Sequence, residues 1–190
     1  MSCLQEWLSQ VRFTMIDLIS DYGGNELFVI DGDALIFFFA NNHFNIDKPS
    51  SLLELVYLIE KFLDDLITRK ASFVIAFFDC NENALTLNSP KRKFYRNAIK
   101  NHFSTTEIEV ISFPSWLDDS WLYYVKEIHP VFIMVVSGDL ESGSSIDNWK
   151  AFAHSSLSRG LNCALLSTDF YFKDRFFILT QQCHGIHIFK

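Results

Sequence analysis

Three apolar runs in this 190-residue chain each close on an acidic residue. Leu27-Phe28-Val29-Ile30 leads into Asp31-Gly32-Asp33, and Phe73-Val74-Ile75-Ala76-Phe77-Phe78 leads into Asp79. Val131-Phe132-Ile133-Met134-Val135-Val136 leads into Ser137-Gly138-Asp139-Leu140-Glu141. Runs of this length, rich in β-branched and aromatic residues, read as strands buried on both faces, the pattern of a parallel sheet covered by helices. In an open parallel sheet all carboxyl ends lie along one edge, where ligands bind. If the three strands are neighbours, Asp31, Asp79 and Asp139 converge there. Carboxylates gathered at one spot repel each other unless a cation sits among them, and an oxygen-only ligand set suits Mg²⁺ or Mn²⁺.

The remaining pattern alternates strands with helices, which predicts an α/β class with a mostly parallel twisted sheet flanked by helices. Leu4, Trp7, Leu8, Val11, Met15, Leu18, Ile19 and Tyr22 recur at helical spacing and stop at Gly23-Gly24, so an extra amino-terminal helix is expected over 4–22. Residues 1–24 are therefore set apart from a single α/β domain at 25–190. The clearest helix is 51–69, where Leu52, Leu55, Val56, Ile59, Phe62, Leu63 and Leu66 form one stripe. Further helices are expected at 91–103, 116–127 and 145–158, with strands at 107–112 and 162–167. The tail from Phe176 suits an antiparallel hairpin around Gly185. Residues 34–40 are apolar but carry no clear period.

Composition sets outer bounds. With 49% hydrophobic residues the chain can bury a real core, which excludes disorder. No stretch is long and uncharged enough to span a membrane, and the start lacks the regions of a signal peptide. Cys3, Cys80, Cys163 and Cys183 form no C-x-x-C pair and read as free thiols of a reducing compartment, the cytoplasm or the nucleus. A net charge of −7 argues against broad non-specific nucleic-acid binding, though not against a local basic patch.

Each acid has a plainer role to set beside the metal-binding one. Asp31 and Asp33 sit two apart, so an extended chain points both side chains to one face, but a D-G turn closing a strand uses the same residues. Asp79-Cys80-Asn81-Glu82-Asn83 begins like a calcium loop but lacks its glycine, and Pro90 stands where the closing glutamate belongs. Ser137-Gly138-Asp139 has no lysine for a phosphate loop and suits a helix-capping turn equally well. Asp118-Asp119 opens a helix, where acids are favoured by the dipole; capping explains Asp118 better than it explains Asp119.

Lys91, Arg92, Lys93, Arg96 and Lys100 make up the only basic cluster. Arg92, Arg96 and Lys100 recur every four residues and so line one helix face, fit either for a phosphate backbone or simply for water. Cys183-His184-Gly185-Ile186-His187 lacks a second ligand pair for structural zinc.

In order, these features resemble a PIN-type nuclease domain of the flap-endonuclease or NYN-like branch. Its first aspartate follows strand one, here Asp31 in Val29-Ile30-Asp31-Gly32-Asp33; a strand ends in F-D, here Phe77-Phe78-Asp79. A basic stretch follows, here Lys91-Arg92-Lys93-Phe94-Tyr95-Arg96. An E-A-D-D pattern is matched in part by Trp116-Leu117-Asp118-Asp119, and S-G-D-x-D by Ser137-Gly138-Asp139-Leu140-Glu141. The phrase Asp21-Tyr22-Gly23-Gly24-Asn25-Glu26-Leu27-Phe28-Val29-Ile30-Asp31-Gly32-Asp33 is similar to the amino-terminal PIN-like region of interferon-induced-type DExD/H-box RNA helicases. The chain departs from the nuclease pattern where Trp116 replaces the glutamate of E-A-D-D and Glu141 replaces the last aspartate. Catalytic geometry tolerates such misplacement poorly.

The resemblance implies two readings. In one, the chain is a degraded, non-catalytic module binding RNA through the basic helix or a protein through the amino-terminal helix. In the other it is an Mg²⁺- or Mn²⁺-dependent ribonuclease cutting single-stranded RNA. Asp31, Asp33, Asp79 and Asp139 would then be metal ligands, Asp119 and Glu141 would join Asp31, Asp79 and Asp139 in catalysis, and Lys91, Arg92, Lys93, Arg96 and Lys100 would contact RNA. No helicase motif is present, so neither reading expects unwinding or ATPase activity. An unrelated flavodoxin-like protein is a third, blander possibility, disfavoured by the missing phosphate-binding loop.

Overall fold

A computed structural model describes residues 12–16, 24, 27–42, 51–80, 90–136, 156, 159, 161, 163–166, 176–179 and 185–189. In chain order these form β1 (Arg12–Ile16), β2 (Leu27–Asp31), α1 (Gly32–Asn42), α2 (Ser51–Thr68), β3 (Ser72–Phe78), α3 (Pro90–Phe103), β4 (Val110–Phe113), α4 (Asp119–Ile128), β5 (Phe132–Val136), β6 (Cys163–Leu166), β7 (Phe176–Leu179) and β8 (Gly185–Phe189). The strands join one sheet in the order β1-β8-β7-β6-β5-β2-β3-β4. All neighbouring pairs are parallel except those β7 makes with β6 and β8. The fold is thus α/β with a mostly parallel sheet, and the three acid-terminated runs are neighbours in it, β5 and β3 flanking β2.

Side-chain alternation along the strands builds two layers. Phe28 and Ile30 of β2 and Ile75 and Phe77 of β3 face α1, α2 and α3, packing with Leu35, Phe39, Leu55, Ile59, Leu63, Tyr95, Ile99 and Phe103. On the opposite face Phe78 meets Trp121 of α4 edge-on at 5.0 Å and stacks with Phe113 of β4 at 6.1 Å. The stripe read from the sequence of α2 is the one that is buried, and α2 ends where Lys70 adopts a left-handed conformation, φ 62°. Asp118 caps α4: its carboxylate accepts from the Ser120 backbone N–H at 2.9 Å and from the Ser120 hydroxyl. Its carboxyl is held below the usual range by the Ser120 hydroxyl first and the backbone N–H second. Cys80 is exposed and in no disulfide. Among the described residues no helix is long and apolar enough to cross a membrane.

Three sequence expectations are corrected here. Residues 12–16 are not helical: Phe13 and Met15 alternate with Arg12 and Thr14, a period of two that serves strand β1 as well as the wider spacing serves a helix. β1 pairs in parallel with β8, so part of the segment set apart at 1–24 belongs to the sheet. The protein-docking helix expected there loses its basis over these residues. Residues 34–40 lie within α1, a helix with no polar stripe because it packs against β2, β3, β5 and α2. The helix expected at 145–158, apart from residue 156, and the cysteine–histidine pair at 183–184 lie outside the described residues.

Candidate active-site edge and its basic helix

The carboxyl end of β2 does not run on in extended form. The chain turns into α1 immediately at Gly32, so Asp31 is the last strand residue and Asp33 lies in the first helical turn. The expectation that both side chains share one strand face therefore fails. Glycine is required at position 32 because a Cβ there would come within 2.6 Å of the Phe77 ring and 2.8 Å of Ile75 Cγ2. The backbone at Gly32 thus approaches β3 closely.

Asp31 is buried and caps α1. Its Oδ1 accepts from the backbone N–H of Asp33 at 3.0 Å and of Ala34 at 3.1 Å. Asp33 is buried as well, and its partner is Arg96 of α3. Arg96 Nε donates to Asp33 Oδ1 at 2.5 Å and Nη2 to Oδ2 at 3.1 Å, a two-point guanidinium–carboxylate pair. The same Nη2 donates to the Phe78 carbonyl at 3.2 Å, while the Phe78 N–H donates to Asp33 Oδ2 at 3.3 Å. The guanidinium carbon lies over the Phe77 ring at 5.4 Å. Arg96 thus ties α3, the end of β3 and the start of α1 together, and only 4% of its surface is exposed.

Burial dominates the electrostatics of this edge. It pushes the Asp31 carboxyl up to about 7, with repulsion from Asp33 adding to the shift and the two helix N–H groups opposing it. Burial also raises Asp33, against the opposing hydrogen bond and charge of Arg96. The direct bond from Arg96 favours the charged form of Asp33, and burial opposes it.

The other expected site residues are spread more widely. In register, Asp31 pairs with Ala76, so Asp79 follows three positions beyond that pairing, just past the end of β3. Its side chain is exposed, with Lys100 Nζ 4.0 Å from Oδ1. Asp119 is exposed in the first turn of α4. Asp139 and Glu141 lie outside the described residues. Among the described residues, no three His, Cys, Asp or Glu side chains are grouped to hold a metal ion. The expected ligand set fits a divalent cation only in part. Both oxygens of Asp33 accept from Arg96 or Phe78, whereas among the described residues both bonds to Asp31 fall on Oδ1.

The basic cluster divides as well. Arg96 is withdrawn into the core and Lys100 is half-buried over the Phe77 ring at 5.7 Å. Lys91 lies 5.8 Å from the centre of the Tyr95 ring, and Arg92 and Lys93 are exposed. The Arg96–Asp33 pair is the feature that sequence reasoning missed. Its signal was available: Arg96 stands three and seven residues before Ile99 and Phe103, on the stripe that α3 buries.

The model of the PIN-like domain of the ATP-dependent RNA helicase DDX60 matches residues 2–181. The probable ATP-dependent RNA helicase DDX60-like of Homo sapiens is 29% identical over 120 residues, which are 62% of this chain and 7% of that protein. The chain therefore corresponds to a small part of the length of this relative.

Proposed function

The chain belongs to the PIN-like domain family of the RNA helicase DDX60, and from that premise we propose that it is a non-catalytic module binding RNA through α3. The observation that carries this reading is the Arg96–Asp33 pair. It uses a residue of the basic cluster to neutralise an acid of the carboxyl edge, and it fixes α3 against that edge. Lys91, Arg92 and Lys93 stand at the amino-terminal end of α3, where they would meet phosphates, with Lys100 further along. RNA as the ligand is carried over from the relative's name.

The competing ribonuclease reading needs Mg²⁺ or Mn²⁺ on Asp31, Asp79 and Asp139, where the ion would supply an activated water and neutralise phosphate charge. Asp31 is the residue that favours it, being an acid at the parallel-strand edge with Oδ2 still to offer.

One pair of measurements separates the two. Labelled RNA should bind without added metal, more weakly as salt rises, and should stay intact in millimolar Mn²⁺. Reversing the charges of Lys91, Arg92 and Lys93 to glutamate should abolish binding. Mn²⁺-dependent cleavage that disappears in both Asp31→Asn and Asp139→Asn would overturn the non-catalytic reading.

A further inference from the structure

The large apolar side chains most exposed among the described residues are Leu53, Tyr57, Ile67, Phe94, Leu117 and Tyr123. Leu53, Tyr57 and Ile67 share α2 with Glu54, Asp64 and Asp65, Tyr123 shares α4 with Asp119 and Glu127, and Leu117 adjoins the Asp118 cap. Phe94 differs. It is 60% exposed on α3, whose sequence PKRKFYRNAIKNHF contains no acidic residue. At helical spacing Phe94, Asn97 and Asn101 follow one another along the outer face, opposite the buried Arg96, Ile99 and Phe103. Lys91 and Lys93 stand on either side of Phe94 around the helix.

An aromatic ring in water costs free energy, and here it lies among cations on a chain whose net charge is −7. That combination of ring, flanking cations and amides is complementary to one class of polyanion. Single-stranded nucleic acid offers unpaired base faces for stacking and phosphates spaced along a flexible backbone. A duplex offers phosphates but keeps its base faces stacked inside.

Resting on the RNA-binding reading, we infer that the outer face of α3 is a platform for single-stranded RNA, with Phe94 stacking an unpaired base. Lys91 and Lys93 hold the phosphates on either side of that base, and the Asn97 and Asn101 amides face the strand as it continues along the helix. The Arg96–Asp33 anchor keeps the platform rigid, so little order has to be gained on binding.

The test compares a labelled oligoadenylate with the same strand hybridised to its complement, on the full chain. Phe94→Ala should weaken single-strand binding roughly ten-fold and leave the duplex unchanged, given the usual worth of one base–aromatic stack. Phe94→Trp should restore the affinity, and its added indole emission should be quenched by the single strand alone. Lys91→Ala with Lys93→Ala should weaken both forms and flatten the salt dependence. Phe94 is exposed, so equal unfolding midpoints for wild type and variants are the expected control. Unchanged single-strand affinity in Phe94→Ala, or equal losses for single strand and duplex, would overturn the stacking platform while leaving RNA binding in place. If the wild-type chain binds neither form, the RNA-binding reading falls and the platform with it.

Discussion

Asp31 shows how one residue can carry both a structural role and an electrostatic penalty. Its Oδ1 accepts two helix N–H groups, which favours the charged form, yet burial outweighs them and moves the carboxyl up to about 7. Between the ordinary value of 3.8 and about 7, the folded chain holds a proton that the unfolded chain has released. Stability from this group is therefore full below about 4, declines as pH rises towards 7 and is flat above, a change on the order of a few kcal/mol. Asp33 shifts in the same direction and reinforces the slope. Asn at position 31 keeps an oxygen for the two N–H donors but cannot titrate. Urea unfolding from pH 4 to 8 should show wild-type stability falling with pH. Asp31→Asn should flatten most of that slope; a wild-type profile that rises through this range would contradict the assignment.

At the scale of elements, packing decides what each piece contributes. Trp121 is the buried anchor of α4, meeting Phe78 at 5.0 Å and Phe113 at 5.1 Å, whereas Tyr123 two positions on is 73% exposed. Trp121→Ala should lower unfolding stability by about 3–5 kcal/mol, and Tyr123→Ala by no more than about 0.5 kcal/mol, both read by urea titration. The contrast was only partly visible in the sequence. β2, β3, β5 and α2 were legible because a continuous apolar run and a single apolar stripe each have one structural meaning at that length. That β2 lies between β3 and β5 was only a condition of the sequence argument, and the sheet order meets it. α1 was not legible, since Ala34 to Ala40 is apolar all round and shows no period. Strand β1 was hidden because its two-residue alternation fits inside a longer helical spacing, and only pairing with β8 decides between them. Arg96 was misread for a related reason: a four-residue spacing of cations says that they share a helix face, not which face the fold buries.

At the scale of the whole molecule, the sheet joins two regions of different construction. The buried cluster on the α1–α3 side draws its side chains, among the described residues, from positions 28–103, with β2 and β3 at its centre. The far end is held differently. β1 pairs with β8, and β8 is linked to the rest of the sheet through β7. The family match ends at residue 181, before β8 at Gly185–Phe189, so the strand that secures β1 lies past the matched segment. Ile186 pairs with Phe13 on one side and Leu179 on the other, which makes it an interior ladder position where proline is poorly tolerated. Ile186→Pro removes a backbone donor and forces a local break. Hydrogen exchange should then show residues 12–16 losing protection, while 27–31 and 72–78 keep theirs, because the centre of the core does not depend on β8. Equal loss at both ends would mean that the eight strands open as one cooperative unit, and that β1 and β8 support the candidate site from across the sheet.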